Sequence, residues 1–513
     1  METKELVILV TFGVVLAGGA IIAFFLFSNL KSDTERESLS KPLMGSAAYT
    51  RSDNLSTASM STQTPAQILR NFVLMAVCFS ANHGAVTGCI GLATNRFGSE
   101  TKLGADLGTW QLGTLYLTYT MSAMFGAAYV VRKLGSRNGL LAGLSIYCVY
   151  VTAFLIAAVV PDETKWPVAI TGAAIGGVGG GFLWTAQGKY FVSVSEAYAI
   201  SAGIEKSSAT SYLAGIFSFF YLFEEVVLKL LSSVIVESVD SDDSWVIVFI
   251  TYTVISVLAC FGLLACHKFP VEEEDDSKGI MYKLTSSMRL LFTDAKMKYM
   301  IPVNSAFGFA AGFLGAFVTG QVLGPSGKDT YAGALTAIPP AVAAVMSLVL
   351  GKVGQRTGKG PILIMGSFFF MALAGMWLIS PGLDRGWLFL IASYSFMGVG
   401  RATFESTLRA TFADFFAKDS DGAFANIILQ SGLSSALAFF LFPRLTCSTA
   451  SDYCVEYQDG NLHNVKTLEL IVVGVSAAAV LGYLRAAQIF RGEQRKEEEA
   501  KNLYGENAMG AKV

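Results

Sequence analysis

The sequence predicts an all-α polytopic membrane protein, an array of six plus six helices preceded by one extra N-terminal transmembrane helix. Composition is the first ground. Of 513 residues, 53% are hydrophobic and 15% charged, where an ordinary soluble domain carries about 25% charged residues; mean hydropathy is +0.52. Span length is the second. About 20 apolar residues in a helix cross the ~30 Å hydrocarbon core. Thirteen such stretches lie near 6–29, 69–94, 109–131, 138–160, 166–188, 208–234, 245–266, 299–322, 331–351, 361–381, 387–408, 422–443 and 468–489. A basic turn repeated in the two halves of the array is the third.

The elements follow in chain order. Residues 1–30 read as a transmembrane or signal-anchor helix. The opening METKE has no net positive charge and the apolar run is long, so an anchor is preferred over a cleaved leader. Residues 31–67 hold thirteen Ser or Thr in thirty-seven positions. That composition buries too little apolar surface to fold, and the segment reads as a disordered cytoplasmic linker. Its sequon, Asn54-Leu55-Ser56, then lies on the wrong side for glycosylation. A first six-helix half covers 68–266, a cytoplasmic loop 267–298, a second half 299–490 and a cytoplasmic tail 491–513. The loop closes with MYKLTSSMRLLFTDAKMKY, which suits an amphipathic segment on the membrane surface. Lys and Arg set the orientation, since cytoplasmic loops hold more of them. With the 31–70 linker inside, inside segments carry 27 basic residues and outside loops 8, so both ends of the array face the cytosol. Nothing favours plasma membrane over endomembrane. Cys447 and Cys454 share the last outside loop, CSTASDYC; a disulfide is expected on that oxidising side, with free thiols as the alternative.

Other classes have little support. A net charge of −2 offers no polycation for nucleic acid. His83, His267 and His463 are dispersed, and no CxxC pair, nucleotide motif or Ser-His-Asp set is visible. Neither enzymatic chemistry nor a cofactor is expected.

Residues 176–191, GGVGGGFLWTAQGKYF, admit two readings: a phosphate cradle or a helix-packing face. A phosphate loop follows a strand and opens a helix in water with fixed glycine spacing. Here the run lies inside a span. Gly172, Gly176 and Gly180 recur every four residues, and Gly177 pairs with Gly181, so small residues line a helix face and let a neighbour approach. Gln187 and Lys189 are placed at the cytoplasmic end of that span, Gln187 being a candidate solute or partner contact.

Charged groups at a helix centre cost roughly 2.5–3.5 kcal/mol each on insertion scales, so each needs a reason. In SFFYLFEEVVLKLL, Glu224 and Glu225 precede Lys229, and Glu225 and Lys229 share a helix face at four-residue spacing. Arg401, Glu405 and Arg409 repeat the spacing in the tenth helix of the array. At ~1.5 Å per residue, Arg401 lies roughly 20 Å in from Trp387, while Glu225 is placed nearer the outer surface. One reading is a polar cavity between the halves, where a Glu exchanges a proton and Arg401 binds an anionic group. The other is a set of internally neutralised structural pairs. Asn82, His83, Asn304, Asn426 and Gln430 complete the intramembrane polar set. Pro339 and Pro340 predict a kink in the eighth helix.

The halves share a signature. After the second helix comes VVRKLGSRNGLLAG and after the eighth GKVGQRTGKGPILIMG. Gly135 and Gly143 match Gly358 and Gly366, Lys133 matches Arg356, and Arg132 and Lys359 belong to the same turns. A shared basic, glycine-containing turn suggests a parallel duplication. Two such halves resemble the major facilitator superfamily. The acid of that superfamily's motif, which helps latch the cytoplasmic helix ends, is replaced by Gln355 in one copy and Arg132 in the other.

Within the superfamily, residues 104–138, 176–191 and 400–440 resemble the Unc-93-like family, most distinctively at Trp184, Ala186, Gln187, Gly188 and Tyr190. Where that family shows Gly-x-Gly-Asp in the tenth helix, this chain has Gly398, Val399, Gly400 and Arg401. The resemblance implies a regulator or escort of another membrane protein, such as an ion channel. On that reading Gly176 and Gly180 face the partner. The alternative is a secondary transporter moving a small solute by alternating access, coupled to protons. The sequence narrowly favours the regulator.

Overall fold

The computed structural model describes residues 63–96, 101–102, 105–239, 244–268, 285–323, 326–328, 331–380, 382, 384–441, 445, 454–456, 462–464 and 466–510. The first apolar stretch, the linker up to residue 62 with its sequon, and the Cys447–Cys454 pairing lie outside the described residues.

The helices are α1 (Pro65–Arg96), α2 (Leu107–Met124), α3 (Ala127–Leu134), α4 (Ser136–Val159), α5 (Asp162–Ala202), α6 (Lys206–Ser238) and α7 (Ser244–Leu263). There follow α8 (Ser286–Thr293), α9 (Ala295–Gly312), α10 (Ala332–Thr357), α11 (Gly360–Ile379), α12 (Trp387–Ala402), α13 (Arg409–Phe415), α14 (Ser420–Leu441) and α15 (Lys466–Gly510). α3 continues α2 after a turn. A π segment, Phe313–Val322, extends α9, and a second, Thr403–Leu408, joins α12 to α13. Two short antiparallel pairs, Thr101–Lys102 with Ala105–Asp106 and Cys454–Glu456 with Leu462–Asn464, sit in the far-side loops.

Nine of the described helical stretches are long and apolar enough to cross a membrane. The three further long units complete the array of twelve: α2 is 18 residues long, α6 carries Glu224, Glu225 and Lys229 near its middle, and α12 runs 16 residues before its π segment. The ends of the array that carry most Lys and Arg are called here the basic side.

Local chemistry sets the ends. Asp294 caps α9, its Oδ1 accepting from the backbone N–H groups of Lys296 at 2.7 Å and Met297 at 3.2 Å. Asp162 and Glu163 occupy the first turn of α5, where the helix dipole favours acids. Gly203, with φ 63, closes its far end. The short α8 packs on α14, and Asn426 donates to the Ser287 carbonyl at 2.8 Å.

The helices form two groups of six spanning units. In the first, α5 packs on α2 and α4, and α1 on α6 and α7. In the second, α15 packs on α9 and α11, and α10 on α12. The groups meet along α6–α10 and α2–α14. The two basic turns adopt one backbone conformation: Gly135 has φ 77 and ψ 159, and Gly358 has φ 78 and ψ 172. Positive φ at both places is what only glycine takes without strain.

The glycine run lies within the first group. A Cβ added at Gly176 would stand 2.7 Å from the Tyr150 ring on α4, and one at Gly177 2.7 Å from the Tyr119 backbone nitrogen on α2. Gly172 abuts Ala153 on α4; Gly180 abuts Tyr119 and Tyr147; Gly181 abuts Ser122. Gly176 and Gly180 are buried among their own helices, which corrects the expectation that they face a partner. Gln187 is buried, and α5 continues past it to Ala202.

Candidate functional site

A cavity of about 240 Å³ lies between the two groups. It runs from the middle of the array toward the side opposite the basic loops. Its charged lining comes from α6 (Glu225, Lys229), α12 and its π segment (Arg401, Glu405), and α13 (Arg409). Glu225 is 1% exposed, Glu405 4% and Arg409 5%.

Arg401 reaches across the boundary. Its Nη1 donates to Glu225 Oε1 at 3.0 Å and its Nη2 to Oε2 at 2.5 Å, a two-bond fork. Nη2 also donates to the Tyr221 hydroxyl oxygen at 3.1 Å. Lys229 Nζ donates to Glu225 Oε1 at 2.7 Å, along one face of α6. A single carboxylate therefore holds two cations.

The paired prolines contribute to this arrangement. Pro340 has no N–H, so the Thr336 carbonyl four residues back loses its helical donor. Lys229 Nζ donates to that carbonyl at 3.4 Å. α10 continues through both prolines.

Glu405 pairs with Arg409, whose Nε and Nη2 both donate to Oε2 at 3.2 Å. The Arg409 guanidinium lies 4.2 Å from the centroid of the Trp184 ring, a cation–π contact. Arg401 and Glu405, expected on one face at four-residue spacing, take different partners. The π segment starting at Thr403 widens the turn and shifts the register between them.

α6 extends to Ser238 rather than to residue 234, and the long Arg401 side chain reaches across to Glu225. The two side chains meet at one level.

The other expected residues divide. His83 lines the cavity, with ring centroids of Tyr147 at 5.6 Å and of Trp184 and Tyr221 at 5.0 Å. Asn82 instead ties helices of the first group together, donating to the carbonyls of Leu144 at 3.3 Å and Ser256 at 3.2 Å. Asn304 donates to Gln430 Oε1 at 2.6 Å between α9 and α14. Glu224, adjacent to Glu225 in sequence, points off the cavity and has no salt bridge among the described residues. Tyr221 and Trp184 are lining residues that the sequence reading did not place in its site, whereas Arg409 was among its intramembrane charges. Tyr221 sits four residues before Glu225, a helical spacing that puts them on one face.

The basic side is tied shut. Arg132 Nη2, at the end of α3, bonds Asp419 Oδ1 at 3.1 Å, just ahead of α14. Lys359, in the matching turn, pairs with Asp414 at the end of α13. Asp414 also accepts from Thr210 and Ser207 on α6, each at 3.3 Å. Lys133 and Arg356 are exposed.

Comparison with known proteins extends these observations. A family model described as Major Facilitator Superfamily matches residues 72–441. UNC93-like protein 3 of Arabidopsis thaliana is 24% identical over 367 residues, covering 68% of this chain and 76% of its own. Protein unc-93 homolog A of Homo sapiens is 22% identical over 409 residues, covering 72% and 86%. Among solved structures, the major facilitator transporter FucP in its outward conformation aligns with a TM-score of 0.58 at 14% identity, covering 83% of this chain and 99% of that one. The proton:xylose symporter XylE bound to 6-bromo-6-deoxy-D-glucose aligns at 0.59 and 13%, covering 84% and 95%. The chain is an integral multi-pass membrane protein that belongs to the major facilitator superfamily, with Unc-93-like proteins among its relatives.

Proposed function

We propose that the protein is a secondary transporter that moves a small solute by alternating access, reversing the preference drawn from sequence alone. The observation that carries this is the Arg401–Glu225 fork, which joins the two helix groups inside a cavity at their boundary. A purely structural pair has no need of a cavity. A gate does, because the bond across the groups must break and reform as they rock. Each charge pair at membrane depth is also expensive to place, which argues for a use.

The test is uptake into proteoliposomes under a proton gradient, screened over small solutes. Glu225→Gln and Arg401→Ala are expected to abolish uptake while surface expression persists. Normal uptake by both variants would make the charges structural and remove the reading.

The second reading, a regulator or escort of an ion channel or other membrane protein, rests on the Unc-93-like resemblance. It predicts a stoichiometric partner in the gently solubilised, tagged protein. A single species of monomer mass argues against it.

A further inference from the structure

From the charge and donor balance of the cavity we infer that its ligand is a small organic monoanion, a carboxylate whose head sits at Arg401 and Lys229 and whose body lies on the aromatic wall. This deepens the transport reading and uses the same site. The first ground is charge. Three cations, Lys229, Arg401 and Arg409, face the cavity with two carboxylates, Glu225 and Glu405. The formal sum is +1. Glu405 is matched by Arg409, so the excess lies at the Glu225 end, where one carboxylate serves two cations. An uncompensated charge in a low-dielectric site is costly, and a bound anion relieves that cost.

The second ground is hydrogen bonding. Arg401 Nε is buried and has no acceptor. Tyr221 accepts from Arg401 through its oxygen, which leaves its O–H free to donate. Lys229 spends one N–H on Glu225 and one on the long Thr336 contact, and an ammonium has three. Donors therefore outnumber acceptors at one end. The third ground is shape. Tyr116, Phe307, Phe404 and Phe439 line the remainder. Apolar walls with a few placed polar groups suit an organic body rather than a hydrated inorganic ion.

The experiment measures thermal unfolding of the purified full-length protein in detergent with three ring probes of similar reach, benzoate, benzamide and benzamidinium, and with chloride. Benzoate is expected to raise the melting temperature in a saturable way. The other three should produce no saturable shift. Arg401→Gln should weaken the benzoate effect at least tenfold in concentration, and Tyr221→Phe should weaken it severalfold.

Benzamide or benzamidinium stabilising as well as benzoate overturns the anionic class. Chloride doing so overturns the organic class. A panel of larger and smaller monocarboxylates that all leave the melting temperature unchanged overturns the proposal outright. These comparisons need only the wild-type protein, so a variant that fails to fold does not remove the test. Radiolabelled benzoate uptake, measured over empty liposomes, separates the two readings. Saturable binding without uptake would defeat transport and leave the anion site standing. Saturable uptake of a neutral solute, with no carboxylate bound, would do the reverse.

Discussion

At the scale of single residues, the glycine run shows how close packing substitutes for the hydrophobic effect inside a bilayer. Lipid tails are as apolar as leucine, so helices associate through contact and small residues set how near they come. Gly177 is a stringent position. An added Cβ would meet Thr118 Oγ1, the Leu115 carbonyl and the Tyr119 backbone nitrogen, and backbone cannot swing away. Gly375, in α11, has nothing within 4 Å of that point. Gly177→Ala is expected to destabilise by about 2 kcal/mol, as overpacking does. Gly375→Ala should be neutral or stabilising by up to ~1 kcal/mol, from helix propensity. Melting temperatures of the two variants in one detergent test this; equal behaviour would mean that α2 yields to α5 at little cost.

At the scale of elements, the basic turns replace a missing acid with a reversed arrangement. Arg132 stands where the superfamily's motif has an acid, and its partner Asp419 lies directly before α14. The anion is now on the helix start, where the dipole favours it, and the cation on the turn. Both side chains are about a quarter to a third exposed, at 24% and 31%, so the pair contributes within ~1 kcal/mol. Arg132→Asp should lower stability by about that much, and adding Asp419→Arg should recover only part of it, because the swapped charges oppose both helix dipoles.

Lys359–Asp414 is the more buried pair, at 10% and 17% exposure. Burial pushes the Lys359 ammonium below the usual lysine range, and Asp414 pulls it back up. Asp414→Asn leaves that ammonium unpaired and should cost about 3 kcal/mol, while adding Lys359→Met should restore much of the loss. Denaturation of the four proteins closes this cycle.

The spans were legible because a 20-residue apolar run has few alternatives. The match of Gly135 to Gly358 was legible because only glycine fits that φ. The partner of Arg401 was not. Glu225 lies 176 positions away, the pairing depends on how the two groups dock, and a π turn leaves no periodicity that a four-residue spacing detects.

At the scale of the whole molecule, α6 and the α12–α13 unit are joined at three levels. Thr210 and Ser207 hold Asp414 at the basic side. Ser218 donates to the Glu405 carbonyl at 2.6 Å higher up. Glu225 takes Arg401 at mid-depth. One helix therefore carries a cavity contact and a closing contact on the same rigid rod, and so does its partner. Rocking the two groups apart on the basic side must break the lowest level first, whereas a ligand anion that draws Arg401 from Glu225 weakens the deepest. Opening and binding are then coupled through the two rods, with no separate relay required.

The coupling can be read with a cysteine at Ser435, which lines the cavity from α14. In a background otherwise free of reactive cysteine, a membrane-impermeant maleimide applied from the basic side should label Ser435→Cys slowly in the parent protein. Asp414→Ala should speed labelling severalfold, because it removes the acceptor for Thr210 and Ser207. Adding Arg401→Ala should speed it further, by more than either change alone, if the ties act in series along the rods. Equal labelling in all four proteins would show that the basic side does not open by separation of α6 from α13, and the alternating-access path would have to run through the α2–α14 boundary instead.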